Sequence, residues 1–222
     1  MTDDFTIKDF LAADGVENWR VISDGACAFY ATDSFAASVR LVAAIGQIDG
    51  IGDHPPSVDV RHDGVTVRFM TKRAEGYGLS RRDLDMARAV DQVAGEHGLT
   101  ADPTAIQSLL IIPGAPDAPA IMPFWEAVLG YTRRIDSPEE DLVDPHDRDT
   151  AFWFETMDEP RGDAGGAIHI AVWVPPEQAE SRLAAALAAG GRIVHDANAP
   201  SWWTLADAFG NQVEIATLSG RD

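Results

Sequence analysis

Two β-prone runs, residues 19–22 and 26–31, flank Ser23-Asp24-Gly25, and this spacing predicts a tight hairpin. From Asp33 or Ser34, either suited to cap a helix, Phe35, Val39, Val42 and Ile45 recur at helical spacing toward Gly50 and predict a helix facing a core. Residues 57–69 then alternate Val58, Val60, Val65, Val67 and Phe69 with polar neighbours around Asp63-Gly64, the pattern of a two-residue hairpin. Ser80-Arg81-Arg82-Asp83 has the form of a capping box, ahead of a helix that carries Met86, Val90 and Val93 on one stripe and ends near Gly98. Helix, hairpin, helix, hairpin, helix is an α+β pattern.

The second half has a different grammar. A strand over 106–112, a helix ending at Leu129-Gly130 and a strand over 150–155 form one pass; a strand over 167–174, a helix from Pro176 to Gly190-Gly191 and a strand over 212–215 form another. Gly closes the helix in both, and Arg-Ile follows, as Arg134-Ile135 and Arg192-Ile193, so the passes read as an internal repeat. The polar stretch 99–104, with Asp102-Pro103, is the expected boundary between a domain at 1–100 and a domain at 105–219.

Composition narrows the function. The chain has 222 residues, 45% of them apolar, enough for two packed cores. No apolar run approaches the roughly 20 residues that span a bilayer, and the acidic start, MTDDFTIKDF, is unlike a signal peptide, so a cytoplasmic location is expected. The single cysteine, Cys27, forbids an intramolecular disulfide and reads as a buried inert thiol. A net charge of −19 without a basic stripe disfavours nucleic acid and membrane surfaces and leaves a small molecule as the expected partner.

The segment Asp49-Gly-Ile-Gly-Asp53-His54-Pro55-Pro56 leaves the second helix and enters a hairpin. An imidazole beside a carboxylate is a proton-transfer pair, although a histidine closing a helix before a proline turn is the plainer role for a lone His-Pro. The order of elements, Asp49-x-x-x-Asp53-His54-Pro55 and Gly78-Leu79-Ser80-Arg81-Arg82-Asp83 together resemble the pterin-4a-carbinolamine dehydratases over residues 5–97. The resemblance implies a four-stranded antiparallel sheet with helices on one face, a dimer or tetramer, and metal-free loss of water from 4a-hydroxytetrahydrobiopterin. That family uses a His-His-Pro pair and a third histidine after the second hairpin strand; here these positions hold Asp53, His54 and, on or near it, Lys72. The resemblance therefore assigns catalysis to His54, Asp53 and Lys72, and substrate binding to Asp49 and Asp83, although Asp83 also fits a capping residue. The family's hairpin aromatic has become Arg61 or His62. His62, His97, His146 and His195 read as surface residues.

In the second half, alternation puts His169, Ala171 and Trp173 on one strand face, Glu214 on the matching face of 212–215, and Glu155 likewise after Phe152-Trp153-Phe154. The repeat, Phe124-Trp125-Glu126 with Gly130-Tyr131, and Asp207-Ala-Phe-Gly210-Asn211 before Gln212-Val-Glu214 look like the vicinal oxygen chelate superfamily, in its glyoxalase and bleomycin-resistance branch, over residues 105–218. The resemblance implies paired βαβββ modules and metal-ligand positions at Gln107, Glu155, His169 and Glu214, a set suited to zinc or nickel. Pro113-Gly114 reads as an insertion after the first strand, which leaves Ser108 as the alternative to Gln107. Trp153 and Trp173, with Trp202 and Trp203, are the candidates for an aromatic substrate pocket.

Three readings stay open. The first is a lyase acting on a pterin-like carbinolamine in the first domain without a cofactor. The second is a metal-free protein that binds a planar small molecule in the second domain, the first serving as a scaffold. The third is a metal-dependent lyase or isomerase of the glyoxalase type. A homodimer is expected in each.

Overall fold

The computed structural model describes residues 5–74, 76–157, 168–206 and 212–220. The chain divides into two compact units, residues 1–106 and 107–222.

Unit 1 contains α1 (Ile7–Leu11), β1 (Arg20–Ile22), β2 (Gly25–Ala31), α2 (Phe35–Ile45), a 3-10 turn (Ile51–Asp53), β3 (Ser57–Val60), β4 (Gly64–Phe69), β5 (Thr71–Arg73), β6 (Gly76–Gly78) and α3 (Arg81–Glu96). Strands β1 to β4 form an antiparallel sheet in the order β1-β2-β4-β3, and β5 pairs with β6 alone. The register sets Ala26, Ala28 and Tyr30 opposite Phe69, Val67 and Val65, all buried, so the alternation seen in the sequence is one sheet face closed by helices. Helix α2 packs on β3, β4 and α3. Helix α3 is tied back through Asp91, whose carboxylate accepts from Tyr30 Oη at 2.6 Å, Asn18 Nδ2 at 3.0 Å and Trp19 Nε1 at 3.1 Å. Burial and the adjacent Asp91 push the Tyr30 phenol far above its ordinary range.

Two expectations for unit 1 change. Ser34 caps α2, but the face toward the core is Ser38, Leu41 and Ile45, while Phe35 and Val39 are 57% and 47% exposed. The helix carries two adjacent apolar stripes, and spacing alone does not say which one the sheet covers. The two-residue hairpin turn forms one residue earlier than Asp63-Gly64: Val60 faces Val65 and the Arg61 N–H donates to Gly64 O at 2.8 Å, so His62 and Asp63 are its central residues and Gly64 already pairs with Ala31. Its glycine serves close approach, since a Cβ there would lie 2.2 Å from Phe29 Cζ.

Unit 2 repeats one βαβββ module. The first comprises β7 (Ser108–Ala115), α4 (Ala118–Leu129), β8 (Thr132–Arg133), β9 (Asp141–Val143) and β10 (Phe152–Trp153), which continues as β11 (Glu155–Thr156). The second comprises β12 (Ile168–Trp173), α5 (Pro176–Ala188), β13 (Arg192–His195), β14 (Trp202–Ala206) and β15 (Gln212–Ala216). Together they form a single sheet ordered β13-β14-β15-β12-β7-β10-β9-β8, with the modules joined by the antiparallel β7–β12 pair. On one face Ala118 and Met122 of α4 pack on Phe152 and Phe154, and Ala179 and Leu183 of α5 pack on Leu205 and Ile215. Residues 207–211, which carry part of the second motif, lie outside the described residues.

The first strand begins later and ends later than its hydrophobic run suggests. Pro113 and Gly114 are inside β7 and not an insertion after it: Pro113 faces Ile168, the first residue of β12, where a missing N–H interrupts little. The strand expected over 150–155 is broken at Phe154, whose N–H donates to Glu140 O at 2.7 Å. Among the described residues no helix is long and apolar enough to cross a membrane.

Candidate functional site

In unit 1 the polar groups converge where α2, β4, β5 and α3 end or begin. After α2, Gly50 takes φ +79°, a left-handed conformation, and starts the 3-10 turn that delivers His54. The His54 ring stacks on Phe69, with centroids 5.9 Å apart and planes inclined by 6°, and Trp19 supports Phe69 from 5.6 Å. Nε2 of His54 lies 2.7 Å from Asp83 Oδ1. The other oxygen, Oδ2, accepts from the Ser80 N–H at 2.6 Å, the Ser80 hydroxyl at 2.7 Å and the Thr71 hydroxyl at 2.6 Å.

One carboxylate therefore does two jobs. Oδ2 closes the capping box at the start of α3, and Oδ1 holds the histidine. The Asp83 side chain is 0% exposed and that of His54 is 17% exposed, so the carboxylate is hidden behind an imidazole that reaches solvent. A carboxylate accepts only, which places the hydrogen on Nε2 and leaves Nδ1 as the working nitrogen.

This geometry corrects several expected roles. Asp53 is not the partner of His54: its side chain is 84% exposed and lies 3.7 Å from Arg82 Nη2. Lys72 is exposed, with Nζ over the Tyr77 ring at 5.4 Å, because strand alternation turns it away from Thr71, the residue that reaches Asp83. Asp83 is too deeply buried to touch a substrate and instead positions His54. Asp49 is exposed beside Gly50, whose carbonyl accepts from Arg82 Nη2 at 3.1 Å. Thr71 and Phe69 were missed; only the strand alternation through Phe69 signalled where this sheet face ends.

In unit 2 the four expected metal ligands do not assemble. His169 lies opposite Ile112, whereas Gln107 precedes β7 and is five residues from Ile112. That is roughly 17 Å of extended chain. Its Oε1 faces Arg182 Nη1 of α5 at 3.4 Å, on the helix-covered side of the sheet. Ser108, the alternative, sits opposite Trp173 at the far end of β7 from the His169 level. Glu155 sits beside Gly114. Only His169 and Glu214 meet, with Nε2 and Oε1 3.5 Å apart, and the described residues contain no group of three His, Cys, Asp or Glu able to hold a metal ion. The donor set does not fit the metal centre that the resemblance implies.

The tryptophans also sort by face. Trp203 pairs with Ile215 and packs against the α5 cluster. Trp153 belongs to the opposite face but donates toward Glu140 Oε2 at 3.4 Å, near the Ile112 level. Trp173 and Trp202 both flank Ala216, one strand to either side, so the aromatic pair is Trp173 with Trp202 and not Trp173 with Trp153.

The fold and site define a two-part protein: a small α+β unit with a carboxylate-held His-Pro histidine, joined to a paired βαβββ unit. The sequence model of the Pterin 4 alpha carbinolamine dehydratase family matches residues 2–93, and that of the Glyoxalase-like domain matches residues 110–216. A Nocardia farcinica protein named "Putative pterin-4-alpha-carbinolamine dehydratase" is 30% identical over 83 residues, covering 37% of this chain and 85% of its own length. A Mycobacterium leprae protein of the same name is 26% identical over 81 residues, covering 36% and 84%. The chain belongs to the pterin-4-alpha-carbinolamine dehydratase family through its first unit and carries a glyoxalase-like domain as its second. Solved structures show a loose likeness: a Legionella pneumophila protein titled an NAD-dependent benzaldehyde dehydrogenase has TM-score 0.38 at 13% identity, covering 50% of this chain and 98% of its own. A glyoxalase/bleomycin resistance protein/dioxygenase superfamily member from Vibrio splendidus has TM-score 0.34 at 12% identity, covering 50% and 99%.

Proposed function

We propose that unit 1 is a lyase that dehydrates a pterin 4a-carbinolamine, with His54 as its single proton-transferring group. The observation that carries this reading is the 2.7 Å contact between His54 Nε2 and the fully buried Asp83, which orients an accessible imidazole. The protonated imidazole gives its Nδ1 proton to the hydroxyl on C4a, and the C–O bond breaks to release water. The neutral ring then takes the N5 proton, the C4a–N5 double bond is completed, and the imidazolium is restored. Asp83 faces the cationic ring throughout, and Phe69 fixes its plane. The reaction is easy without catalysis, so the roughly 10²–10⁴-fold supplied by one positioned acid–base group is sufficient.

The partner of this site is a pterin-like small molecule, and no step requires a cofactor. A second copy of the chain is the proposed protein partner, covering the exposed Phe35 and Val39 stripe of α2. The test is the dehydration rate of a 4a-carbinolamine with the wild-type chain and with His54→Ala. Loss of the catalysed rate in a variant that keeps its native circular dichroism supports the proposal. An unchanged rate refutes it.

A further inference from the structure

Unit 2 has a cavity of about 330 Å3 between the first turn of α5, the start of β14 and the end of β15. That volume is at the small end of the range for small-molecule sites, roughly 300–1,000 Å3. Its wall is Trp203 of β14 with Pro176, Ala179 and Pro200, and Trp203 packs against the α5 cluster, so the cavity lies on the helix-covered side of the sheet.

The back of the cavity is tied together by the backbone. Thr217, 1% exposed, donates its hydroxyl to Pro200 O at 2.7 Å and accepts the Ser219 N–H at 3.1 Å. The Thr217 N–H donates to Ser201 O at 2.8 Å, and the Ser201 hydroxyl donates to Ser219 O at 3.0 Å. These polar groups are bonded to one another, so the recess is preformed and its back offers a ligand shape.

The mouth is different. Glu177 and Glu180 stand three residues apart on α5, on one stripe with Pro176, and both are exposed and line the cavity. Arg182, the basic residue of α5, is two positions beyond Glu180, about 200° around the helix, and there its Nη1 meets Gln107 Oε1 at 3.4 Å. None of the described residues that line the cavity is basic. An indole, prolines and a carboxylate mouth complement an organic cation, whereas a neutral or anionic group would bring the carboxylates no matching charge. Among cations a guanidinium is planar, lies against an indole and gives a carboxylate two parallel N–H donors. The net charge of −19 raises the local concentration of any cation.

We propose that this cavity binds a small alkylguanidinium, its cation at the mouth between Trp203 and Glu180 and its apolar chain inward against Pro176, Ala179 and Pro200. A ligand held in that direction is a free alkylguanidine and not an arginine side chain of a peptide, whose backbone would have to enter first. The site is separate from His54 and stands whether or not unit 1 dehydrates a pterin.

The test titrates the full-length chain with butylguanidinium and with butylurea, its neutral match in shape, and follows heat of binding and 1H–15N NMR of the tryptophan indoles. Butylguanidinium is expected to bind at roughly millimolar concentration, the scale for so few atoms, and to shift the Trp203 signal. Butylurea should bind about tenfold more weakly. Glu180→Gln should weaken butylguanidinium by about 3- to 10-fold, less than for a buried charged hydrogen bond because the carboxylate is exposed, and should narrow its lead over butylurea. Trp203→Phe keeps a ring in the α5 cluster and should weaken binding severalfold. Glu96→Gln removes the same charge from α3 of unit 1 and should leave the affinity within about twofold, which separates this site from the attraction of the whole surface. Equal affinity for butylguanidinium and butylurea, equal binding of N-acetyl-argininamide, or an affinity unchanged by Glu180→Gln overturns the proposal. So does the absence of a saturable shift at Trp203. The dehydration rate enters none of these readouts, so His54→Ala tests the dehydratase reading apart from them.

Discussion

Replacing Asp83 with asparagine separates two roles that one carboxylate now combines. Oδ2 takes three donors, from Ser80 N, Ser80 Oγ and Thr71 Oγ1, and Oδ1 takes the His54 ring nitrogen. An asparagine oxygen satisfies the three donors best if it sits where Oδ2 is, which turns its NH2 toward Nε2. His54 must then accept at Nε2, so the hydrogen moves to Nδ1 and the working nitrogen loses its lone pair. The imidazolium is disfavoured as well, because its Nε2–H would meet an N–H. The expected cost in stability is modest, about 1–2 kcal/mol for exchanging charged for neutral hydrogen bonds. The expected cost in dehydration rate is about 10²-fold or more, most of what one acid–base group supplies. Asp83→Ala differs. Thr71 and Ser80 hydroxyls, 2.9 Å apart, can bond each other, but the Ser80 N–H and the His54 Nε2–H lose their partner in a buried site. That variant should lose about 3–5 kcal/mol. Urea unfolding gives the stabilities, stopped-flow absorbance gives the rate, and 15N NMR of the imidazole reads the tautomer. An Asp83→Asn protein with the wild-type tautomer and the wild-type rate would refute the reasoning.

Four further outcomes are expected. Hydrogen bonds from the Arg148 guanidinium, and then from the His146 N–H, hold the buried Asp144 carboxyl well below the usual carboxylate range; its stabilisation should be complete above roughly pH 4 and fade as the pH falls through the lowered folded value, so Asp144→Asn should flatten the acid side of the urea midpoint against pH, and an unaltered profile would contradict this. Burial pushes the Cys27 thiol up to about 11, against a smaller opposing effect of Arg68; a disulfide reagent at pH 8 should label it slowly in the native protein and fast in urea, and rapid native labelling would show the strand to be open. Gly64→Ala should lower stability by about 1–3 kcal/mol through overpacking against Phe29, whereas Gly52→Ala, where nothing lies within 4 Å of an added Cβ, should not carry this clash; equal urea midpoints for the two would be the contrary result. Prolonged dialysis against a chelator should leave the thermal midpoint in place, since Gln107 is bonded to Arg182 and the four expected ligands are not assembled; a fall of several degrees, reproduced by Gln107→Ala, would point to a metal.

Much of the architecture was legible because it rests on local rules. The capping box at Ser80, the alternation through Val65, Val67 and Phe69, and the glycine that ends each module helix act over a few residues and survive in the fold. The site was legible only at His54. Its partner was assigned to the neighbouring Asp53 because adjacency in sequence is visible, whereas a contact across 29 residues is not. Asp83 was recognised for its cap, which hid its second bond. Gln107 failed for a different reason: the apolar run begins at Ile106, but pairing with β12 begins at Ser108, and one residue in a strand reverses the face. The same rule separates Trp202 from Trp203, neighbours in sequence that point to opposite sides of the sheet.

Among the described residues, the histidine–carboxylate pairs His54–Asp83 and His169–Glu214 are built with opposite polarity, and this decides what each can do. In unit 1 the carboxylate is 0% exposed and the imidazole 17% exposed, so the group offered to a ligand is a base that can also be an acid. In unit 2 the imidazole is 5% exposed and the carboxylate 22% exposed, so the group offered is a fixed acceptor. A buried carboxylate bonded by three donors besides the histidine cannot swing toward substrate, which leaves proton transfer to the ring it holds. A buried histidine beside a partly exposed carboxylate leaves the carboxylate, an acceptor, as the outward member. Exchanging the residue types at either pair would therefore not transfer its activity, because the work follows from which member the backbone hides. The proposed proton transfer therefore falls to His54, the member that unit 1 presents, and a variant there should leave the His169–Glu214 pair in place.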